Sequence, residues 1–456
     1  MHFITLNRTV LRLLLLCLIA LFMARCTPPP DDATPRPGSR PADQYPADVA
    51  LRWSALHLQL IRHSAGYSPP VASRSLGYAG LALYEAVVAG MPANRSLAGQ
   101  LPGLTTLPTA SPTQPYNWAL CANAAQATIL RALFANSPPA QRAGIDSLET
   151  AIRRQYTDPD DIAQASATFG RQVAQAVVDW SKNDGGHEGF NRNFPATYTV
   201  PVGAGHWLPT ENGLTVPMQP YWGQNRTFVA ANNALPMPRP LPVSTDVTSQ
   251  YYAQYLEVYA RNRSLSDADK AIAVWWADDP GETFTPPGHS YNLARIAARA
   301  AGADLGKTAE TLARVGLTVA DAFILCWRCK YTYLNERPYT FVRRAIDPNW
   351  VPFWPAPPFP GFPSGHATQS AAAATVLTAL YGDTFAFTDD SHVGRARDTK
   401  RNVGFTARSF RSFWEAAEES ALSRFLGGIH TRQDNETGLQ EGRTIGRNVN
   451  ALGWRK

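Results

Sequence analysis

The sequence contains little charge, few cysteines and, after its first 24 residues, no long apolar run. Only 17% of the 456 residues are Asp, Glu, Lys or Arg, against about 25% in an average soluble protein, while 45% are hydrophobic. This composition excludes a highly charged, disordered chain and indicates a large buried core. The length allows one large domain or two smaller ones.

The excess of positive charge is modest, because 42 Lys and Arg face 36 Asp and Glu. A basic stretch from Arg395 to Arg411 carries no signature of a nucleic-acid-binding fold, so we interpret it as a solvated loop. The sequence therefore predicts no nucleic-acid partner. It leaves the oligomeric state open.

Cysteine is scarce, with five residues in the whole chain. Cys326 and Cys329 form a Cys-Trp-Arg-Cys segment, but a zinc site would need more ligands nearby. A thioredoxin-like role lacks its strand–helix–strand context. We interpret the pair as packed thiols at helical spacing, and an oxidising compartment would also permit a disulfide between them.

The first residues are typical of a targeting segment. Arg8 and Arg12 precede a short apolar run, Leu13–Ala24, which is too short to predict a membrane span. Cys26 follows, and a Pro-rich stretch then reaches Pro46. This arrangement resembles a bacterial lipoprotein signal.

We therefore expect residues 1–25 to be a signal peptide and residues 26–46 to be a tether. The mature protein would be periplasmic, or anchored to a bacterial membrane only through a lipid on Cys26. Arg25 departs from the small residue that usually precedes a lipidated cysteine, so cleavage and simple secretion are the alternative.

No run of residues alternates between apolar and polar side chains as a half-buried strand does. Apolar residues or helix formers instead recur at helical spacing in segments 75–89, 118–134, 162–180, 251–259, 290–301, 309–327 and 367–380. The fold prediction is all-α, a multi-helix bundle with long irregular loops. We predict an N-terminal helical part, 47–302, with an irregular insertion at about 185–242, and a C-terminal helical part, 303–456.

Three segments of the C-terminal part contain the residues that can carry chemistry. They supply three cations, two imidazoles and a Gly-Ser turn, which suits holding a tetrahedral oxyanion and moving a proton beside it. The segments are Lys330 with Arg337 and Pro338, then Pro363-Ser364-Gly365-His366, then Arg424 with His430 and Asp434.

The first two segments can be placed on helices. Lys330 and Arg337 are seven residues apart, which predicts one face of a helix that ends near Pro338. Ser364 is a candidate N-cap, and Gly365 allows backbone N–H groups to approach an anion at a helix N-terminus.

The third segment adds a planar fork of donors at Arg424. His366 and His430 can act as acid, base, nucleophile or ligand, and Asp434 is spaced to orient His430. Each segment alone is commonly a solvated helix face, a capped turn or a structural histidine. Their combination, in this order and spacing, is much harder to obtain by chance.

The three segments resemble the signature of the type 2 phosphatidic acid phosphatase superfamily, which includes the vanadium-dependent haloperoxidases. Segments 198–222 and 275–280 are similar to soluble bacterial members as well. The resemblance implies two four-helix bundles that share a core. It also implies a vanadate cofactor bound through His430, the metal ligand, and held by Lys330, Arg337, Ser364, Gly365 and Arg424.

Two aromatic residues separate the branches of that superfamily. Trp327 and Phe359 match pocket positions that resemble the fungal chloroperoxidase type, whereas a lipid phosphatase has no need of such a pair. Trp327 also continues an apolar stripe with Leu312, Val319 and Phe323, so a purely packing role is the alternative. Phe359 lies among prolines and can pack in the same way.

Other polar residues are interpreted as structural. Asp278 and Asp279 could be acid–base or metal carboxylates, but we expect one of them to brace a cation of the anion site or to cap a helix. Pro286-Pro287-Gly288-His289 imitates the Pro-Ser-Gly-His segment and is interpreted as a turn before a helix. No function is predicted for five further histidines: His57, His63, His187, His206 and His392.

Three functions remain compatible with the residues. A haloperoxidase would use vanadate and hydrogen peroxide to oxidise halide to hypohalous acid, with His366 managing protons and small organic molecules as acceptors. An exported acid phosphatase would form a phosphohistidine at His430, with His366 protonating the leaving alcohol. An inactive binding protein is disfavoured because the signature is intact. We predict the haloperoxidase.

The targeting segment predicts the mature N-terminus. The chain should lose residues up to Arg25 and begin at Cys26, with added lipid mass if that cysteine is lipidated. Mass spectrometry of the protein purified from its source membrane fraction measures both features. An intact Met1, or a cut well beyond Cys26, would contradict the lipoprotein interpretation.

Overall fold

A computed structural model describes residues 38–456 with the exception of Asn212. The expected signal peptide, Cys26 and the start of the expected tether lie outside the described residues. The end of that tether is described, and it packs against the body of the protein: Ala42 and Tyr45 are buried, and Leu305 N donates to Tyr45 O.

The described residues form fourteen α-helices and one small antiparallel pair of strands, so the all-α prediction is confirmed. The N-terminal half contains α1 (Asp48–His63), α2 (Pro69–Val87), α3 (Trp118–Leu133), α4 (Pro139–Arg153), α5 (Asp160–Ser181), α6 (Ala230–Asn233), α7 (Gln250–Asn262), α8 (Asp267–Trp275) and α9 (Thr285–Ala300). The C-terminal half contains α10 (Leu305–Tyr333), α11 (Pro338–Ala345), α12 (Gly365–Tyr381), β1 (Phe387–Asp389), β2 (Arg408–Phe410), α13 (Phe413–Leu426) and α14 (Arg432–Asn450).

Polar side chains begin the helices that build the site. Asp304 accepts from Lys307 N at the start of α10, and Ser412 accepts from Glu415 N at the start of α13. Thr431 and Asp434 form a reciprocal capping box at the start of α14. These caps fix where each helix begins, and therefore which side chains stand at its first turn.

The long helix α10 joins two groups of helices. It packs against α2 in the N-terminal half, where α3 and α5 complete the group, and against α12 and α14 in the C-terminal half. Its buried carboxylate, Asp321, accepts from Phe228 N, Val229 N and Asn232 Nδ2. That carboxylate ties the irregular segment 185–242 to the centre of the protein.

Helices α12 and α14 touch along a row of glycines spaced four residues apart on α14. A Cβ at Gly442 would lie 2.1 Å from Thr368 O, and one at Gly446 would lie 2.6 Å from Thr375 Cβ. The row continues at Gly438, where a Cβ would meet Ala367 Cβ at 2.8 Å. The close approach of these backbones sets the start of α12 beside the start of α14.

Two sequence predictions about helix ends are wrong. The helix that carries Lys330 ends at Tyr333, because Leu334 adopts φ 51° and Pro338 starts the separate helix α11. Arg337 is the N-cap of α11 and does not share a helix with Lys330. Pro286 to His289 form the first turns of α9 and are not a turn before it, since proline is compatible with the first turn of a helix.

The described residues contain no helix that is both long enough and apolar enough to cross a membrane.

The glycine row predicts a large difference between two Gly→Ala substitutions. Gly442→Ala should lower the free energy of unfolding by about 1–3 kcal/mol, because the methyl group overlaps the α12 backbone. Gly144→Ala, inside α4 with only Leu56 Cδ1 within reach at 3.6 Å, should raise it by about 0.5–1 kcal/mol. Urea unfolding measures both, and equal effects would contradict the packing argument.

Candidate functional site

Lys330 is completely buried near the C-terminal end of α10. Its Nζ donates to the carbonyl oxygens of Pro360, Gly361 and Pro363, at 2.8, 2.7 and 2.6 Å. Burial lowers the pKa of Lys330 to about 8, while three carbonyl acceptors favour the ammonium form. The side chain therefore brings positive charge and holds the loop that precedes α12.

Arg337 is also completely buried. Its guanidinium donates to Phe359 O at 2.9 Å and to Ile429 O at 2.8 Å, and Nη1 lies 3.1 Å from His430 Nε2. Burial lowers its pKa to about 9, which still leaves it charged at neutral pH. Arg337 thus joins the loop before α12 to the segment before α14.

Arg424 approaches from the last turn of α13 and is 4% exposed. Its Nη1 lies 3.4 Å from Trp276 O, and its buried Nε has no hydrogen-bond partner among the described residues. Burial lowers the pKa of Arg424 to about 10, and the nearby charges of Asp279 and Asp278 oppose that shift. Among the described residues neither carboxylate forms an ion pair with Arg424, so the expected brace is limited to this longer-range electrostatic effect.

The Pro-Ser-Gly-His segment lies where α12 begins. Ser364 is the N-cap, and its hydroxyl accepts from Ala367 N at 3.4 Å. Gly365 and His366 belong to the first turn, and a Cβ on Gly365 would lie 3.6 Å from Trp327 Cζ3. His366 Nε2 donates to Trp276 O at 2.9 Å, because a carbonyl oxygen can only accept.

His430 and Asp434 are in direct contact, which the sequence spacing alone did not establish. His430 Nδ1 lies 2.9 Å from Asp434 Oδ2, and that carboxylate also accepts from Thr431 N at 3.0 Å. Burial, together with Arg337, Lys330 and Arg424, holds the pKa of His430 well below its usual range. The ring is therefore neutral, with its proton on Nδ1 and its lone pair on Nε2.

The three cations share an electrostatic property. In the described part of the chain none pairs with a carboxylate, and their hydrogen-bond acceptors are backbone carbonyls and His430 Nε2. Carbonyl dipoles solvate a buried cation without cancelling its charge. The site thus keeps net positive charge in a desolvated place, which favours an anion.

A cavity of about 590 Å³ opens onto Arg424 and onto the two histidines of the site, His366 and His430. Gly365, His366, Arg424 and His430 line its floor, and Trp327 and Phe359 line a wall with ring centroids 4.8 Å apart. Further lining comes from Ile61 and residues 64–69 of the α1–α2 region, and from five residues of the irregular segment: Asn193, Phe194, Gly213, Leu214 and Met218. Trp327 also packs on Phe323, so it belongs to the core and to the cavity wall together.

Sequence reasoning missed two parts of the site. The carbonyl groups of residues 359–363 form the shell around Lys330 and Arg337, and backbone acceptors leave no mark in the sequence. His289 and His392, to which no function was assigned, form a buried cluster with Asp278 and Asp389. The Asp278-Asp279 pair was the one available signal for it.

The remaining candidates have ordinary structural surroundings. His57 contacts Ser75 and His187 contacts Ser181, while His206 contacts the Pro201 carbonyl. Cys326 and Cys329 are free, buried thiols whose nearest acceptors are Pro363 O and Glu441. The disulfide that the sequence left open is thus not formed.

Comparison with known proteins points to one family. Residues 310–453 match the family model of the VCPO second helical-bundle domain. The vanadium chloroperoxidase of Curvularia inaequalis is 24% identical, over 88% of this chain and 81% of its own.

Two solved structures are similar as well. A bacterial vanadium-dependent chloroperoxidase in its holo form shares the fold, with a TM-score of 0.64, 16% identity and coverage of 85% of this chain and 92% of the other. A bacterial vanadium-dependent iodoperoxidase gives a TM-score of 0.79 and 32% identity, and covers 92% of this chain and 99% of its own. The chain therefore belongs to the vanadium-dependent haloperoxidases.

Proposed function

We propose that this protein uses hydrogen peroxide to oxidise halide to hypohalous acid at a vanadate held in the cationic site. One observation carries the proposal. Three buried cations, none paired with a carboxylate in the described part of the chain, lie around a neutral histidine, His430, whose Nε2 lone pair faces Arg337 Nη1. The cations suit the oxygens of an oxyanion, and the lone pair suits its central metal.

The residues supply both a metal ligand and oxyanion donors, as vanadate requires. His430 would be the metal ligand, with Asp434 fixing its tautomer from behind. The partnerless Nε of Arg424 is a donor that an oxyanion would satisfy. Arg337, Lys330 and the helix start at Ser364 and Gly365 would complete the anion site. When bound, vanadate supplies a Lewis-acidic centre that activates hydrogen peroxide without redox change in the protein.

His366 is the residue placed to manage protons. Oxidation of halide by hydrogen peroxide to hypohalous acid and water consumes one proton, so a group that exchanges protons is required. The pKa of His366 is held well below its usual range by burial and by Arg424. Its neutral ring donates from Nε2 to Trp276 O, which leaves Nδ1 as the nitrogen that can exchange a proton.

The aromatic wall fits the halide better than it fits a sugar or alcohol. Trp327 and Phe359 present apolar ring surface beside Lys330 and Arg337. A poorly hydrated halide loses less solvation against such a surface than a hydroxyl group does. Iodide is the least hydrated of the three common halides, and the similar iodoperoxidase supports iodide as the preferred substrate here.

The rest of the cavity suits a small organic acceptor. Apolar residues such as Tyr67, Phe194, Leu214, Met218 and Trp354 line it beyond the anion site. An apolar molecule that enters would lie next to the place where hypohalous acid forms. Export, with a lipid on Cys26, completes the proposal and is supported by the N-terminal sequence pattern.

A phosphatase would use the same site, and one observation favours it as the second candidate. The Nε2 lone pair of His430, backed by Asp434, is that of a nucleophilic imidazole, and phosphate has nearly the shape of vanadate. The aromatic wall and the relationship to the iodoperoxidase favour the haloperoxidase.

The direct test measures both activities in one preparation. Loaded with vanadate, the protein should oxidise iodide with hydrogen peroxide faster than the vanadate-free protein hydrolyses a phosphate ester. His430→Ala should abolish vanadate binding in equilibrium dialysis, whereas His63→Ala, an exposed histidine on α1, should bind as the parent does. Efficient ester hydrolysis without oxidation of any halide would establish the phosphatase instead.

The cationic site predicts the effect of removing one charge. Arg424→Ala should weaken binding of vanadate and of phosphate roughly tenfold or more, because a charge-assisted hydrogen bond contributes about 1.5–3 kcal/mol. Arg432→Ala is the matched control, since that arginine is exposed on α14 and pairs with Glu257. Isothermal titration measures both, and equal affinities in the two variants would place Arg424 outside the site.

The aromatic wall predicts a selective loss of halide oxidation. Trp327→Ala and Phe359→Ala should lower halide oxidation, because they remove the apolar surface against which a poorly hydrated halide loses little solvation, and leave phosphate-ester hydrolysis less affected. Trp414→Ala is the control, because that indole packs against Arg443 on α14 and does not line the cavity. Parallel loss of both activities would assign the pair a packing role only.

A further inference from the structure

A buried group of two histidines and two carboxylates lies behind the anion site. We call Asp278, His289, His392 and Asp389 the Asp278 cluster; each is at most 2% exposed. His289 Nδ1 lies 2.7 Å from Asp278 Oδ2, and its Nε2 lies 2.8 Å from Asp389 Oδ2. Because a carboxylate accepts, both nitrogens of His289 carry protons. Burial alone would lower the pKa of His289, but the two carboxylates raise it to about 10.

The cluster has the composition of a metal site, but its spacing argues otherwise. Ligand atoms of Asp278, His289 and His392 lie within 4.8 Å of one another. Tetrahedral ligands with metal bonds of about 2.0–2.2 Å are roughly 3.4 Å apart. The 2.7 Å contact of His289 is therefore a hydrogen bond, and neither of its nitrogens keeps a lone pair for a metal.

The Asp278 cluster contacts the residues that follow the end of α8 through a hydrogen bond and a ring stack. Trp275 Nε1 donates to Asp389 Oδ2 at 2.9 Å, on the same oxygen that accepts from His289. The ring of Trp276 stacks on His289, with centroids 4.5 Å apart and planes 22° apart. Asp278 adopts φ 52°, a conformation that a non-glycine residue keeps only when its surroundings enforce it.

Residues 275–278 contact the anion site through one backbone oxygen. Trp276 O accepts from His366 Nε2 at 2.9 Å and lies 3.4 Å from Arg424 Nη1. Because a carbonyl oxygen can only accept, the His366 nitrogen that faces it, Nε2, carries the proton.

We propose that His289 is a positioning residue for His366. By holding Asp278 and Trp276, it aims the Trp276 carbonyl at His366 and keeps the proton on Nε2, so that Nδ1 faces proton exchange. Its importance in turnover rests on the proposed function, whereas its effect on the tautomer of His366 does not.

Imidazole nitrogen spectra test the proposal without any cofactor. Protein labelled with ¹⁵N-histidine should show His366 protonated at Nε2 alone and His289 protonated at both nitrogens at pH 7, with signals assigned through His366→Ala and His289→Phe. His289→Phe keeps an aromatic ring against Trp276 and removes both hydrogen bonds. In that variant the His366 ring should become a mixture of tautomers. The affinity of the variant protein for inorganic phosphate should stay within about twofold of that of the parent protein.

Turnover gives a second measurement. In the vanadate-loaded His289→Phe variant, kcat for iodide should fall about tenfold or more, since positioned acid–base groups contribute factors of 10² or above. His57→Phe is the matched control: it removes another buried histidine, hydrogen-bonded to Ser75, and should leave the His366 tautomer unchanged. If His289→Phe does not fold, the His366 tautomer in His289→Gln is compared with that in the parent spectrum.

Three results would overturn the proposal. These are a parent His366 protonated at Nδ1, a His366 signal that stays unchanged in a folded His289 variant, and one equivalent of divalent metal that is lost in His392→Ala. If the predicted tautomers are found but the parent oxidises no halide, the proposed function fails and the positioning role of His289 stands.

Discussion

Buried positive charge that pairs with no carboxylate of residues 38–456, Asn212 aside, is the constraint on which the site depends. Moving an unpaired ion into a protein interior costs several kcal/mol even after relaxation. Lys330 and Arg337 offset that cost by donating hydrogen bonds to backbone carbonyls of residues 359–363 and of Ile429. Carboxylates would have neutralised the charge and closed the site to anions. Carbonyl groups stabilise the cations and leave the charge in place.

This arrangement explains why the surrounding fold is so closely packed. The carbonyl shell must stay within hydrogen-bond distance of two side chains that come from α10 and from the start of α11. The glycine row of α14 brings its backbone against α12, and Ser364 N donates to Asp434 O across that contact. A displacement of either helix would separate His430 from the cations it faces.

The sequence indicated candidate side chains for the site because charge and imidazole chemistry are properties of the residue type itself. His366, Arg424 and His430 line one cavity, and Arg337 lies against His430. Lys330 holds the loop that leads to Ser364, which begins a helix. Helical periodicity also predicted the all-α fold, since amphipathic repeats follow directly from the helix pitch.

What the sequence could not reveal depends on distant pairing or on the backbone. A regular seven-residue spacing suggested one helix through Lys330 and Arg337, but the left-handed Leu334 breaks it, and a leucine gives no local warning of such a turn. His289 pairs with Asp278 eleven positions away and with Asp389 one hundred positions away. Only the folded chain brings these residues together.

The carbonyl shell of Lys330 also makes the anion a part of the fold. The loop at 359–363 is held by the same ammonium group whose charge the anion would share, so binding and loop order are thermodynamically linked. A ligand that binds only the folded state adds about 2.7 kcal/mol of stability at one hundred times its dissociation constant. The concentration of oxyanion would thus govern how long the folded protein survives, and not only how fast it works.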